Sequence, residues 1–96
     1  MIIIYRIEDY KGNGPWINRD GSPGYLSIPT MPKQPDGLLS GCISINELID
    51  YFRQRVDLDD LFNHGYKIVG YMVKDIEHTR NHILFDPYTA IRLGDI

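Results

Sequence analysis

The chain has 96 residues, thirteen acidic against ten basic side chains, a formal net charge of −3 and a pI near 5.4. That balance gives no overall basic field, and the Lys and Arg residues are scattered, so direct contact with nucleic acid, which rests on phosphate neutralisation, is not expected. The length suits a single domain, 1–96, with one modest core. A lone cysteine, Cys42, excludes an internal disulfide framework. The start, Met1-Ile2-Ile3-Ile4-Tyr5-Arg6, lacks the basic and long apolar regions of a secretion signal, and no apolar run approaches a membrane span; a cytoplasmic protein without membrane contact is expected.

Ile2, Ile3, Ile4, Tyr5 and Ile7 form a β-branched and aromatic run that predicts a strand at least partly covered on both faces, central in its sheet, and ending at Glu8 and Asp9. Gly12-Asn13-Gly14-Pro15 then supplies turn chemistry. From about 11 to 42 the chain holds six glycines and five prolines and no sustained hydrophobic period. A loop this long is usually functional or disordered. Its Trp16, Ile17, Tyr25, Leu26, Ile28 and Met31 argue for an ordered loop packed on the rest, with an extended piece between Gly24 and Ile28.

Ser44-Ile45-Asn46-Glu47 matches a capping box, and Ile43 and Leu48 are spaced as a hydrophobic staple, so a helix starts here. Ile45, Leu48, Ile49, Phe52 and Val56 give it one apolar stripe. Asp57 is placed to cap a second short helix from Leu58 to His64, with Gly65 as its stop. Tyr66 to Val73 reads as a second strand, with Gly70 marking a bulge or close approach. A polar connection runs to Asn81, a third strand covers His82 to Phe85 before Asp86-Pro87 breaks it, and a last extended stretch covers Ala90 to Leu93. Without βαβ alternation the order predicts an α+β fold: a small, largely antiparallel sheet backed by one main helix and a short second one.

No segment carries a strong catalytic or metal signature. Cys42 reads as a small buried hydrophobe. His78 and His82 are four apart, as zinc ligands on a helix would be, but their segment reads as a turn and no cysteine accompanies them, so no metal is assigned. His64 complements the dipole of the short helix. Gly12-Asn13-Gly14 lacks the lysine and hydroxyl residue of a phosphate loop. Asp57, Asp59 and Asp60 lack the glycine and terminal glutamate of a calcium loop and read as cap and surface charges. Glu8 and Asp9, adjacent on an extended chain, point to opposite faces and are not a joint acid–base pair. No cofactor is implied by these residues.

Seven tyrosines, one tryptophan and three phenylalanines are the unusual part of the composition. Tyr5, Phe52 and Phe85 read as core. The loop rings Tyr10, Trp16 and Tyr25 are the candidate partner-binding residues, since such amphipathic rings are enriched at interfaces.

The segments Tyr5-Arg6-Ile7-Glu8, Gly12-Asn13-Gly14-Pro15-Trp16, Cys42 to Phe52 and Ile83-Leu84-Phe85-Asp86 together resemble small phage- and prophage-encoded proteins. That resemblance implies a non-enzymatic modulator of a host system, anti-CRISPR-like, which uses the aromatic loop and an acidic surface to bind a host protein. The layout also resembles a trimmed ADP-ribosyltransferase-like fold, in which an early strand carries an NAD-holding arginine or histidine and a late strand a catalytic glutamate. Arg6 matches the first element, while Asn81 or His82 stands in place of the glutamate. This second resemblance implies a degenerate NAD- or nucleotide-binding protein with Arg6, Tyr10 and His82 around a pocket.

Overall fold

The computed structural model describes residues 1–16, 18–20, 22–26, 38–78 and 83–96. Its elements run β1 (Ile2–Glu8), β2 (Leu39–Gly41), α1 (Ile45–Arg53), α2 (Leu58–Asn63), β3 (Lys67–Val73), β4 (Glu77–His78), β5 (Ile83–Phe85) and β6 (Ile91–Asp95). The α+β expectation holds, with every strand pairing among these elements antiparallel.

The strands divide into two three-stranded sheets, ordered β1-β3-β6 and β2-β5-β4. In the first, β3 is central; β1 lies at its side, in full register with β3 from Ile2 opposite Val73 to Glu8 opposite Lys67. The hydrophobic run of β1 therefore reports cover on both faces near its end at Ile7, with Ile3 left exposed, and not a central place in the order. At its far side Tyr5 exchanges both backbone hydrogen bonds with Cys42, at 2.8 and 2.9 Å, and this bridge ties the two sheets together. Two short strands are not legible in the sequence: β2 lies at the end of the glycine- and proline-rich stretch, and β4 inside the polar connection. Neither has the run length that makes a strand visible.

Strand alternation sorts the side chains of the first sheet. Ile2, Ile4, Arg6 and Glu8 share one face of β1 with Val69, Tyr71 and Val73 of β3. On this face Ile4, Val69, Tyr71 and Val73 pack with Ile83 and Phe85 of β5 into one core cluster. On the opposite face Ile7 packs with Leu48 and Phe52 of α1, Leu61 of α2, Cys42 and Tyr66 in a second cluster. The helices cover only the end of the sheet that carries Ile7 and Ile68.

The helices begin where their caps predict. The Ser44 hydroxyl accepts from the Glu47 N–H at 3.1 Å, and Leu48 and Phe52 of the apolar stripe are buried. Ile43 is half exposed. Asp57 Oδ1 accepts from the N–H groups of Asp59 and Asp60, and Gly65, at φ +90°, ends the turn after α2.

The described parts of the long loop are pinned down. Gly24 N–H and Leu26 N–H donate to Trp16 and Pro15 carbonyls, and Asn18 N–H donates to Ser22, forming an irregular hairpin. The Trp16 ring stacks on Phe52 with centroids 6.0 Å apart. The expected extended piece is described only as far as Leu26; Ile17, Ile28, Met31, Asn81 and His82 lie outside the described residues.

Gly41 allows the crossing of β2 over β1: a Cβ there would collide with Ile4 Cγ2 and stand 2.7 Å from the Tyr5 carbonyl oxygen. Overpacking against backbone is costly because the backbone cannot give way. Gly41→Ala is expected to lower stability by about 2 kcal/mol or more, read from urea unfolding. Gly65→Ala, where only the positive φ is strained and nothing lies within 4 Å, should cost about 1 kcal/mol.

Candidate functional site: an arginine cluster around Glu8

Glu8 closes β1, and its side chain is fully buried. An ionised carboxylate can sit in such a place only if its oxygens are met by donors. Its Oε2 accepts from Arg6 Nε at 2.8 Å and from the Tyr71 hydroxyl at 2.7 Å, with Arg19 Nη2 3.7 Å away. Its Oε1 accepts from Arg92 Nε at 3.1 Å. Three guanidinium groups thus converge on one carboxylate. The partners come from four places in the chain: β1 itself, the loop hairpin, β3 and β6.

Each arginine is fixed differently. Arg6 is buried with Glu8 and donates through Nη1 to the Ser40 carbonyl of β2 at 2.6 Å. Arg19 donates through Nε to the Gly12 carbonyl and through Nη2 to the Tyr71 hydroxyl, while its own N–H donates to Asn13 Oδ1. The turn that receives it is built on Asp9, whose Oδ1 accepts from Lys11 and Asn13 N–H groups, with Gly12 at φ +82°. Gly12-Asn13-Gly14 is therefore a tight turn that serves as an arginine clamp. Arg92 stays partly open. Burial works against its charge, but the hydrogen bond and charge of Glu8, with Tyr71 assisting, outweigh it and raise its pKa.

Burial first, and then the hydrogen bond to Glu8 and its charge, raise the Tyr71 hydroxyl above its ordinary value; Arg19 and Arg6 pull it back in part. Tyr71 thus serves as a neutral donor to Glu8 and an acceptor from Arg19. The Cys42 thiol is also raised, chiefly by burial and then by the charge of Glu47, which is the reverse of what an activated nucleophile needs.

The three candidate partner-binding rings are placed differently from one another. Tyr10 is 86% exposed, with Lys11 Nζ 5.6 Å from its ring centre. Trp16 is half buried against Phe52. Tyr25 is exposed, lies 4.2 Å from the His64 ring, and donates to Asp60 Oδ2 at 2.8 Å, a bond that raises its pKa. Of the alternative set, Arg6 faces Glu8 and Ser40, while Tyr10 points to solvent from the turn after β1. His82 lies outside the described residues. Among the described residues no group of three or more His, Cys, Asp or Glu could hold a metal ion, and no helix is long and apolar enough to cross a membrane. A shallow groove of about 320 Å³ between α1, α2 and β3 is lined by Ile49, Val56, Leu58, Phe62 and Ile68 together with the charged Arg53, Asp57 and Asp59, so part of the helical stripe is open.

Compared with protein-family models, curated proteins and solved structures, the chain matches none.

Glu8 and Tyr71 set two expected outcomes. Glu8→Gln removes the charge that offsets Arg6 in a buried place and should cost about 3 kcal/mol or more in urea unfolding. Because the folded-state pKa of Tyr71 is raised above 10.0, the unfolded chain loses its proton first. The stability from the neutral phenol is fully present below pH 10 and falls as pH rises toward the folded-state value. Tyr25 and Tyr66 are raised as well. Tyr71→Phe should make the alkaline fall in unfolding free energy shallower without abolishing it.

Proposed function

We propose that the chain is a non-enzymatic interaction protein that binds a protein partner. The supporting observation is an apolar row on the uncovered end of the first sheet. Ile3, Met72 and Ile91 stand opposite one another across β1, β3 and β6. Ile96 joins them by lying over Gly70, where a Cβ would stand 3.1 Å from its Cδ1 and 3.4 Å from Ile3 Cγ2. Ile91 is 56% and Ile96 62% exposed. Scattered apolar residues on a surface need no explanation, but a contiguous patch on a sheet face marks an interaction site. Tyr10 adds an exposed aromatic ring elsewhere, and the acidic residues of α1 and α2 add negative charge, both suited to a basic partner surface. The resemblance to phage-encoded proteins makes a host defence complex the first partner class to test, with the chain as an anti-CRISPR-like inhibitor.

Quantitative affinity capture compares wild type with Ile3→Lys/Ile91→Lys and with Tyr10→Ala/Tyr25→Ala, each first checked for native unfolding behaviour. Loss of the captured protein by about tenfold or more in the sheet-face variant is expected, since burying a lysine in an apolar contact costs more than 1.4 kcal/mol. Equal capture by all three chains would overturn the reading. Sedimentation of the chain alone separates a foreign partner from a second copy on the same face.

A further inference from the structure

The cluster at Glu8 holds more positive charge than its own structure needs. One guanidinium balances one carboxylate; among the described residues three stand against Glu8 and leave two charges over, in a chain whose net charge is negative. Arg6 is buried, and Arg19 and Arg92 are 42% and 41% exposed. The excess therefore lies on the two guanidinium groups that reach solvent. Both converge on Glu8 from separate segments, 73 residues apart by their numbers, 19 and 92.

These two groups are also held in place before any ligand arrives. Glu8 is buried and takes Arg92 Nε, while Arg19 is clamped by Gly12 and Tyr71. Each guanidinium carries five N–H donors in a rigid fork. Arg19 commits Nε and an Nη2 bond, and Arg92 commits Nε to Glu8 and bonds the Tyr71 hydroxyl, so neither fork spends all five donors on these partners, and both side chains stay about two-fifths exposed. A fork held along one edge with donors to spare is an arrangement that receives a planar or tetrahedral oxyanion. Preorganisation removes the ordering cost that such long side chains otherwise impose on binding.

We infer that Arg19 and Arg92 form an oxyanion site for a phosphate group, with Glu8 and Tyr71 as the buried support that aims them. The charge selects the class. A phosphate monoester carries about −1.5 to −2 at neutral pH, which matches the two unbalanced guanidinium charges; a carboxylate matches only one. Arg6 is a positioning residue here, committed to Glu8 and Ser40. The site does not depend on the apolar row and lies on the opposite face of the sheet, so it stands whether or not a protein partner covers that row.

The test is a titration of the whole chain with inorganic phosphate, methyl phosphate and acetate, each against chloride at matched ionic strength, followed through the Arg Nε–H resonances. Inorganic phosphate and methyl phosphate should saturate with Kd of about 1 mM or tighter and move the Arg19 and Arg92 signals, with acetate weaker. Methyl phosphate binding at least as well as free phosphate identifies an ester as the source; tighter binding of free phosphate identifies the ion itself. Both keep the site. Arg19→Gln and Arg92→Gln leave Glu8 with Arg6 and Tyr71, and each should weaken phosphate by about tenfold, the scale of one charge-assisted hydrogen bond. Arg92→Lys, which keeps the charge without the fork, should weaken it several-fold while unfolding normally. The site is refuted if phosphate gives no saturable shift beyond chloride, if acetate binds as tightly as phosphate, or if a folded Arg19→Gln/Arg92→Gln chain retains phosphate.

Discussion

A carboxylate buried at the end of the first strand sets the terms for much of this fold. Glu8 closes a strand that is largely apolar apart from Arg6, and its oxygens draw in that Arg6, Tyr71 from the central strand, Arg92 from the last strand and Arg19 from the loop. An unpaired charge there would be far costlier than any one of these contacts is favourable. The sheet order, the placement of the hairpin and the path of the C-terminal strand must therefore all be satisfied together. Apolar contacts are non-directional and fix the hairpin less narrowly than the donor set around Glu8 does. A buried polar network of this kind selects one arrangement among several that would bury similar apolar area.

The sheet's two faces then take on different work. One carries the Glu8 network and, further along, the cluster of Ile4, Tyr71, Val73, Ile83 and Phe85 beneath the second sheet. The other is covered by α1 and α2 over Ile7 and Ile68 and is left bare around Ile3, Met72 and Ile91. Helices of nine and six residues, roughly 13 and 9 Å long, are each shorter than the seven-residue strands of the sheet, roughly 23 Å. The bare end follows from where the helices dock, and its apolar side chains are what make it available to a partner.

Sequence patterns made the local elements legible and left their partners obscure. Ser44 and Asp57 announce helix starts because a cap depends on residues within three positions, and the run from Ile2 to Ile7 announces a strand because its period is local. Strand order, by contrast, rests on pairings across the whole chain, so β1 reads as central when it is β3 that holds the middle. The Glu8 network was half visible. Arg6 and Glu8 are two apart on a strand and so share the face of Ile4, a sign that their charges meet beneath a cover. Glu8 and Asp9 are neighbours whose side chains diverge, whereas Arg6 and Glu8, two apart, converge. Arg19, Tyr71 and Arg92 lie 11, 63 and 84 positions from Glu8 by their numbers, and no local pattern joins them.

One irregularity links the charged face to the apolar one. Between Gly70 and Tyr71 the pairing of β6 shifts: Tyr71 faces Arg92, Gly70 faces Gly94, and Leu93 is the extra residue. Gly94, at φ +89°, supplies the backbone turn that such a bulge needs. Before the bulge, Arg92 falls on the face of Tyr71 and Glu8, and Ile91 on the face of Met72 and Ile3. After it, Asp95 reaches Lys67 at 3.3 Å, and Ile96 donates its N–H to the Ile68 carbonyl and lies over Gly70. An unbulged β6 would keep Arg92 in place but carry Ile96 to the opposite face and Asp95 onto the apolar one, because a slip of one residue exchanges the faces. The bulge is therefore what lets one edge strand complete the Glu8 network with Arg92 and extend the apolar row with Ile96.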